Sequence, residues 1–207
     1  MRIISKAELS VARFASGDIS RGGLRAVRVA KDHAVACNGF AMVKVAEHGA
    51  PSPADFPTPK EGPLSLAMPE DGLLIMADDA LAAAKQIPKK PHIPVLGYAV
   101  TGMNGGATPK IVSTDLGQWN TRTCEETNGQ FPNTDRVWPT GDIMATVDMD
   151  ASRLRDICDF IVKHSATRNG TAQITINLRA DGTAVEILRV SGDRDISAIL
   201  MPMRREK

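Results

Sequence analysis

Gly129-Gln130-Phe131-Pro132-Asn133-Thr134-Asp135-Arg136-Val137-Trp138-Pro139 carries two prolines seven residues apart. A proline lacks the amide that a β-ladder needs and drives the residue before it toward extended geometry. The run is therefore expected to form a short extended arm, neither helix nor central strand. Between the prolines, Arg136, Val137 and Trp138 set one charge beside two large apolar groups. An arm of this kind can join two packed units and line a groove between them. An ordinary Pro-rich connector is the simpler reading of the same spacing.

Outward from the arm, one pattern of a short helix followed by strands occurs three times. Ser5-Lys6-Ala7-Glu8 reads as a capping box, in which each end satisfies the other's orphan amide. A helix to about Ser16 follows, with Leu9, Ala12 and Phe14 inward. Leu24–Val29 alternates as a half-buried strand does. Lys31-Asp32-His33 is the next turn, and Asn38-Gly39 joins the strands Ala34–Cys37 and Phe40–Ala46 as a type I′ hairpin, whose two central residues both need positive φ. Five prolines within 49–63 mark an extended linker outside the core. The second unit opens at Leu64–Met68. It has a helix from Asp78 to Ile87, closed by Pro88, and strands at Val95–Thr101, Pro109–Thr114 and Trp119–Cys124. The third has Asp150 as N-cap and Leu154, Ile157, Cys158 and Ile161 at helical spacing. Strands at Ala172–Leu178, Ala184–Val190 and Ile196–Met201 complete it, the first two joined by Ala180-Asp181-Gly182. The expected division is 1–139, built of half-units 1–48 and 64–139, and a half-domain at 140–207.

Composition sets the outer bounds. At 207 residues, with 43% hydrophobic and 24% charged side chains, the chain can bury a real core in one large or two small domains. No apolar run approaches the length a bilayer requires, and no charged-then-apolar leader opens the sequence. Three scattered cysteines, Cys37, Cys124 and Cys158, fit buried thiols in a reducing compartment, so a cytoplasmic protein is expected. Asn169-Gly170-Thr171 matches a glycosylation sequon and reads more simply as a turn. Net charge is +1, yet residues 1–50 hold eight Lys or Arg against four Asp or Glu. A near-neutral total neither demands nor forbids a phosphate-facing surface.

No residue cluster points to catalysis, a cofactor or a metal. His33, His48, His92 and His164 stand apart, and no phosphate loop or nucleophile elbow is present. The adjacent carboxylates Asp78-Asp79 and Glu125-Glu126 read as solvated faces or a helix start. The chain is expected not to be an enzyme.

The arm resembles the Phe-Pro-Asp-Tyr-Arg-Arg-Val-Leu-Pro segment of the bacterial DNA polymerase III beta sliding clamp family, with Thr134, Asp135 and Trp138 as departures. Ala36-Cys37-Asn38-Gly39-Phe40-Ala41-Met42 is similar to that family's Ala-Thr-Asp-Gly-His-Arg-Leu turn. Leu200-Met201-Pro202-Met203-Arg204 is similar to its Val-Met-Pro-Met-Arg ending. The three matches fall in the family's order.

The resemblance implies an α+β, DNA-clamp-like fold built from repeated units of one helix on an antiparallel sheet. It implies an apolar groove for polymerases and other proteins carrying a clamp-binding motif. On the matching positions this groove comprises Gly39, Phe40, Met42, Pro132, Arg136, Val137, Ile199, Met201, Pro202, Met203 and Arg204. Methionine adapts to varied apolar anchors, and a rim arginine binds carboxylates or carbonyls. Phe40 and Ala41 replace a His-Arg pair, which would alter partner preference. The DNA-facing candidates are Lys6, Arg13, Lys85, Lys89, Lys90, Arg153, Arg155 and Lys163, with Arg155 free to pair with Asp159 along the helix. Three half-units amount to about half a clamp chain, so ring closure implies a homo-oligomer of four copies joined through edge strands. A phage- or mobile-element-type processivity or decoy factor fits this pattern. So does a clamp-fold protein that captures a peptide without encircling DNA.

Overall fold

The chain opens on a strand that no sequence pattern announces. Arg2–Ser5 is β1, and Ser5 ends it as the N-cap of α1, Lys6–Ser10. The capping box is formed: the Glu8 amide donates to Ser5 Oγ at 3.1 Å, and the Ser5 amide donates to Glu8 Oε2 at 2.9 Å. Glu8 is buried, and its charge is met by Arg2, whose guanidinium also donates to the His33 carbonyl at 3.1 Å. This computed structural model describes the chain apart from residues 48, 61–63, 106–107, 126, 128, 138–140, 144–145, 166–171, 179–184, 192–193, 201 and 203–207.

After α1 the backbone tightens into a 3-10 turn, Val11–Phe14, rather than continuing as α-helix to Ser16. Leu9 and Ala12 are buried as expected, but Phe14 lies exposed. Two short 3-10 turns, separated by a kink at Arg21 and Gly22, span Ile19–Arg25 and take the first residues of the expected strand, so β2 begins at Ala26 and ends at Val29. The strands β3, Ala34–Cys37, and β4, Met42–Val45, follow. Then come β5, Leu73–Met76, α2, Ala77–Gln86, β6, Tyr98–Met103, β7, Pro109–Thr114, and β8, Trp119–Thr123. Pro94 opens a 3-10 turn over Pro94–Gly97, which delays β6 relative to the expected strand. Within the arm lies α3, Thr134–Val137, and beyond it follow α4, Ala151–Ser165, β9, Thr175–Leu178, β10, Val185–Ser191, and β11, Arg194–Leu200. Every strand ladder among the described residues is antiparallel, with helices packed on the sheets, the α+β class expected.

The chain divides into two units, Met1–Trp138 and Pro139–Lys207. In the first, two four-stranded sheets have the orders β4-β3-β2-β5 and β1-β6-β7-β8. Each sheet takes its outermost strand from the other half. The strand before α1 pairs with β6, and the strand before α2 pairs with β2. Ile4, Leu9, Val27, Val29, Leu73, Ile75, Ala83, Ala99 and Ile111 share one core beneath α1 and α2. Their neighbours Ile3, Val100 and Val112 face a second core with Phe56, Leu66 and Leu96. The Pro-rich linker is therefore no mere spacer. A capped 3-10 turn, Pro53–Asp55, delivers Phe56 onto Trp119, ring centroids 6.2 Å apart and edge to face.

The arm also departs from expectation. Thr134–Val137 forms one helical turn, with the Arg136 amide donating to the Asn133 carbonyl at 3.3 Å. Phe131 and Thr134 are buried, while Arg136 and Val137 are exposed. In the second unit α4 places Ile161 against Val185, Ile187 and Leu200, flanked by Leu154 and Ile157. Asp150 caps this helix, accepting from the Ser152 and Arg153 amides at 2.8 and 3.1 Å. The expected turn at 180–182 and the sequon at 169–171 lie outside the described residues. Among the described residues no helix is long and apolar enough to cross a membrane.

The approach of the arm to the first half depends on glycine. A Cβ on Gly129 would lie 2.1 Å from the Gly23 nitrogen, and one on Gly23 would lie 2.4 Å from the Gln130 oxygen. Backbone cannot yield as a side-chain end does. Gly129→Ala should therefore cost about 1–3 kcal/mol in urea unfolding. Gly17→Ala, whose added methyl would meet nothing within 4 Å, should stay within about 0.5 kcal/mol of wild type.

Candidate functional site

The segment Ile19–Arg25 is approached by two of the three family-like stretches, the turn at Arg21 and the arm at Gly23. Asp18 caps it, its Oδ1 accepting from the Ser20 amide at 2.9 Å and the Ser20 hydroxyl at 2.7 Å. Those bonds, the hydroxyl first, hold the Asp18 carboxyl below its ordinary range. Asp18 Oδ2 lies 3.5 Å from Arg21 Nε, which steers the guanidinium across to the 38–41 turn. There Arg21 Nη1 donates to the Asn38 carbonyl at 3.0 Å, and the guanidinium carbon lies 5.7 Å from the Phe40 ring centroid. An exposed cation–π contact of this kind contributes about 0.5–1 kcal/mol.

The turn itself is not type I′. Only Gly39 has positive φ, at 91°, and the Asn38 side chain does the remaining work. Its Oδ1 accepts from the amides of Phe40 and Ala41, both at 2.9 Å. The positive φ is what calls for glycine here, and a Cβ, 2.8 Å from Arg21 Nη1, would in addition push the guanidinium off its place. The result is a phenylalanine 91% exposed on a turn whose four amides, Asn38 to Ala41, all donate hydrogen bonds. Ile19 is exposed on the same supporting segment.

The other expected groove residues distribute as follows. Met42 is half-buried at the start of β4, and Pro132 is half-buried in the arm. Arg136 and Val137 are exposed on α3. The 38–41 turn touches Ile19–Arg25 through Arg21, and the arm touches it through Gly23, so both flank one segment of the first unit. Ile199, exposed on β11, and half-buried Pro202 belong to the second unit. Met201, Met203 and Arg204 lie outside the described residues. Arg21 and Ile19 stand outside the expected set. The Asp-x-x-Arg spacing of Asp18 and Arg21 is the only local signal for the former, and it gives no hint of the contact with Phe40.

Among the basic candidates, Arg13, Lys85, Lys89 and Lys90 are exposed. Lys6 is committed elsewhere: its Nζ donates to the Ile87 carbonyl at 3.1 Å, at the end of α2. Arg153 lies 3.7 Å from Asp150, and Arg155 meets Asp156 at 3.3 Å rather than Asp159. The Lys163 side chain lies outside the described set. Asp79 is buried rather than solvated, gripping Arg122 at 2.8 Å and the Glu125 amide at 3.0 Å. Among the described residues no group of three or more His, Cys, Asp or Glu could hold a metal ion.

No family model matches the sequence, and no curated protein matches it. Among solved structures the chain is similar to the crystal structure of the DNA polymerase sliding clamp from Pseudomonas aeruginosa, with a TM-score of 0.58 at 14% identity. The match covers 97% of this chain and 50% of that one, so the chain spans about half the length of that clamp. The likeness is one of fold: this is a DNA-clamp-like α+β architecture.

The cysteines provide a check on the packing. Burial, with Asp79 nearby, pushes the Cys124 thiol up to about 12, far from a nucleophilic thiolate. Cys37 is also buried, and Cys158 is half-buried. Ellman's reagent at pH 8 should therefore label Cys158 promptly in the native protein. Cys37 and Cys124 should react only on denaturation, read by peptide mapping of the labelled chain.

Proposed function

We propose that this protein is a sliding-clamp-like processivity factor. It docks a short apolar peptide of a DNA polymerase, or of another protein with a clamp-binding motif, around Phe40, and several copies together encircle double-stranded DNA. The observation that carries this reading is the Phe40 turn. A large apolar ring is held in solvent by Asn38, Gly39 and Arg21, all bonded so as to present it. Contact with a partner's apolar side chain would remove that ring from water, a gain of about 1.5–3 kcal/mol if burial is complete. The clamp-like fold supports a clamp-like role, with residues 1–139 read as a whole clamp domain and 140–207 as half of one. Gly39, Met42, Pro132, Arg136 and Val137 are assigned to the same docking surface. Ile199, Met201, Pro202, Met203 and Arg204 are proposed as peptide contacts on the sequence resemblance alone. Arg13, Lys85, Lys89 and Lys90 are the proposed phosphate-facing groups, bound loosely enough to slide.

One observation favours a second reading, peptide capture without encirclement. Lys6, expected to meet phosphates, already donates to the Ile87 carbonyl, whereas the exposed pairs of Arg153 and Arg155 are weak enough to yield to a phosphate. Both readings share the docking surface.

A polymerase-derived clamp-binding peptide should bind with micromolar affinity by fluorescence anisotropy. Phe40→Ala should weaken it about tenfold or more with an unchanged melting curve, because so exposed a ring adds little to stability. Arg21→Ala should weaken binding less, by about three- to fivefold. Peptide affinity that is absent in wild type, or untouched by Phe40→Ala, would end this reading.

A further inference from the structure

The first unit states a rule of assembly that the second unit leaves half fulfilled. In the first unit the strand just before each helix leaves its own half and joins the leading strand of the other half's three-stranded meander. Its last residue lies opposite the first residue of that strand: Ser5 opposite Tyr98, and Met76 opposite Ala26. Among its described residues the second unit has one helix, α4, packed on β10 and β11, and one meander in the order β11-β10-β9. Its leading strand, β9, has no neighbour on its outer edge among the described residues. Residues 147–150, just before α4, lie in no strand.

Side chains repeat the rule. Val147 and Met149 pack on the core of the second unit with Asp148 between them, as Leu73 and Ile75 of β5 enter the first core with Leu74 between. On β9, Ile176 lies opposite Ile187 and Leu178 opposite Val185, and both of those partners are buried. Ile176 and Leu178 thus occupy the core face of the sheet, yet they are 45% and 49% exposed. The residues in the same register on β2, Val27 and Val29, are 0% exposed because β5 and its half cover them.

We infer that a second copy of this chain completes the second unit. Residues 147–150 of each copy add antiparallel to β9 of the other, with Met149 opposite Ile176 and Val147 opposite Leu178. Among the described residues each chain offers one such segment and one such edge, so two copies related by a twofold axis satisfy both at once. The pairing also removes an apolar edge strand that would otherwise invite uncontrolled association. This inference stands on the strand pattern and does not depend on peptide or DNA binding.

The test uses the full chain with Cys158→Ser, leaving only the two buried thiols. Met149→Cys and Ile176→Cys are placed on separate chains, mixed, and treated with a short bis-maleimide. Directly opposed residues have Cβ atoms about 5 Å apart, so the mixture should give cross-linked dimer well above either variant alone. Ile176→Asp should raise the dimer dissociation constant at least about tenfold, read by sedimentation, with unchanged far-ultraviolet circular dichroism. A wild-type chain that stays monomeric across the micromolar range would overturn the proposal. So would cross-linking confined to a single doubly substituted chain, or a dimer indifferent to Ile176→Asp. A monomer would also mean that some other polypeptide segment fills the β9 edge.

Discussion

Strand exchange is the constraint on which the first unit depends. β1 hydrogen-bonds to β6 and β5 to β2, so neither half closes its sheet alone. The exchange also forces Ile4, Leu73 and Ile75 into one core with residues of both sheets and both helices. Such a core loses its packing on both sides if either strand detaches, which predicts cooperative unfolding of Met1–Trp138 as one body. The capping box at Ser5 is the hinge of this arrangement. A single residue ends the exchanged strand and starts the helix, and the buried Glu8 that closes the box is neutralised by Arg2 of that same strand. Removing one member of a buried charge pair is far costlier than never having had it.

The presentation of Phe40 follows from the same economy of backbone contacts. Ile19–Arg25 is wedged between the 38–41 turn and the arm, touching the first through Arg21 and the second through the glycine contact at Gly23. A surface built this way combines a close backbone approach at Gly23 with an Arg21 guanidinium already fixed by Asp18 and the Asn38 carbonyl. Its geometry is therefore set before any partner arrives, which lowers the ordering cost of binding.

Much of this was legible in residue order. Periodicity located α4, an alanine-rich run closed by Pro88 located α2, the strand expected at Pro109–Thr114 formed as β7, and the Ser-x-x-Glu and Asp150 caps formed as their chemistry dictates. What escaped depended on contacts far apart in sequence. β1 is four residues long with Ile3 and Ile4 buried on opposite faces, so it shows no alternation to read. Phe56 sits among prolines and looks like linker, and only the apolar outer face of the second sheet makes it core. The helical turn at Thr134–Val137 arises because Asn133, one residue past Pro132, accepts from the Arg136 amide and overrides the extended bias of the prolines. The candidate site was half legible: the resemblance pointed to Gly39 and Phe40, while Arg21 acts through a cross-chain ring contact that no spacing rule encodes.

The proposed function requires topological linkage to DNA. Retention on plasmid at raised salt, comparing closed circles with the same plasmid cut once, tests it most directly. Salt strips loosely held phosphate contacts but cannot release a closed ring from a circle. Topological linkage predicts protein that stays on circles and is lost from linear ends. Equal, salt-sensitive retention on both forms would contradict it and leave peptide capture as the function of this fold.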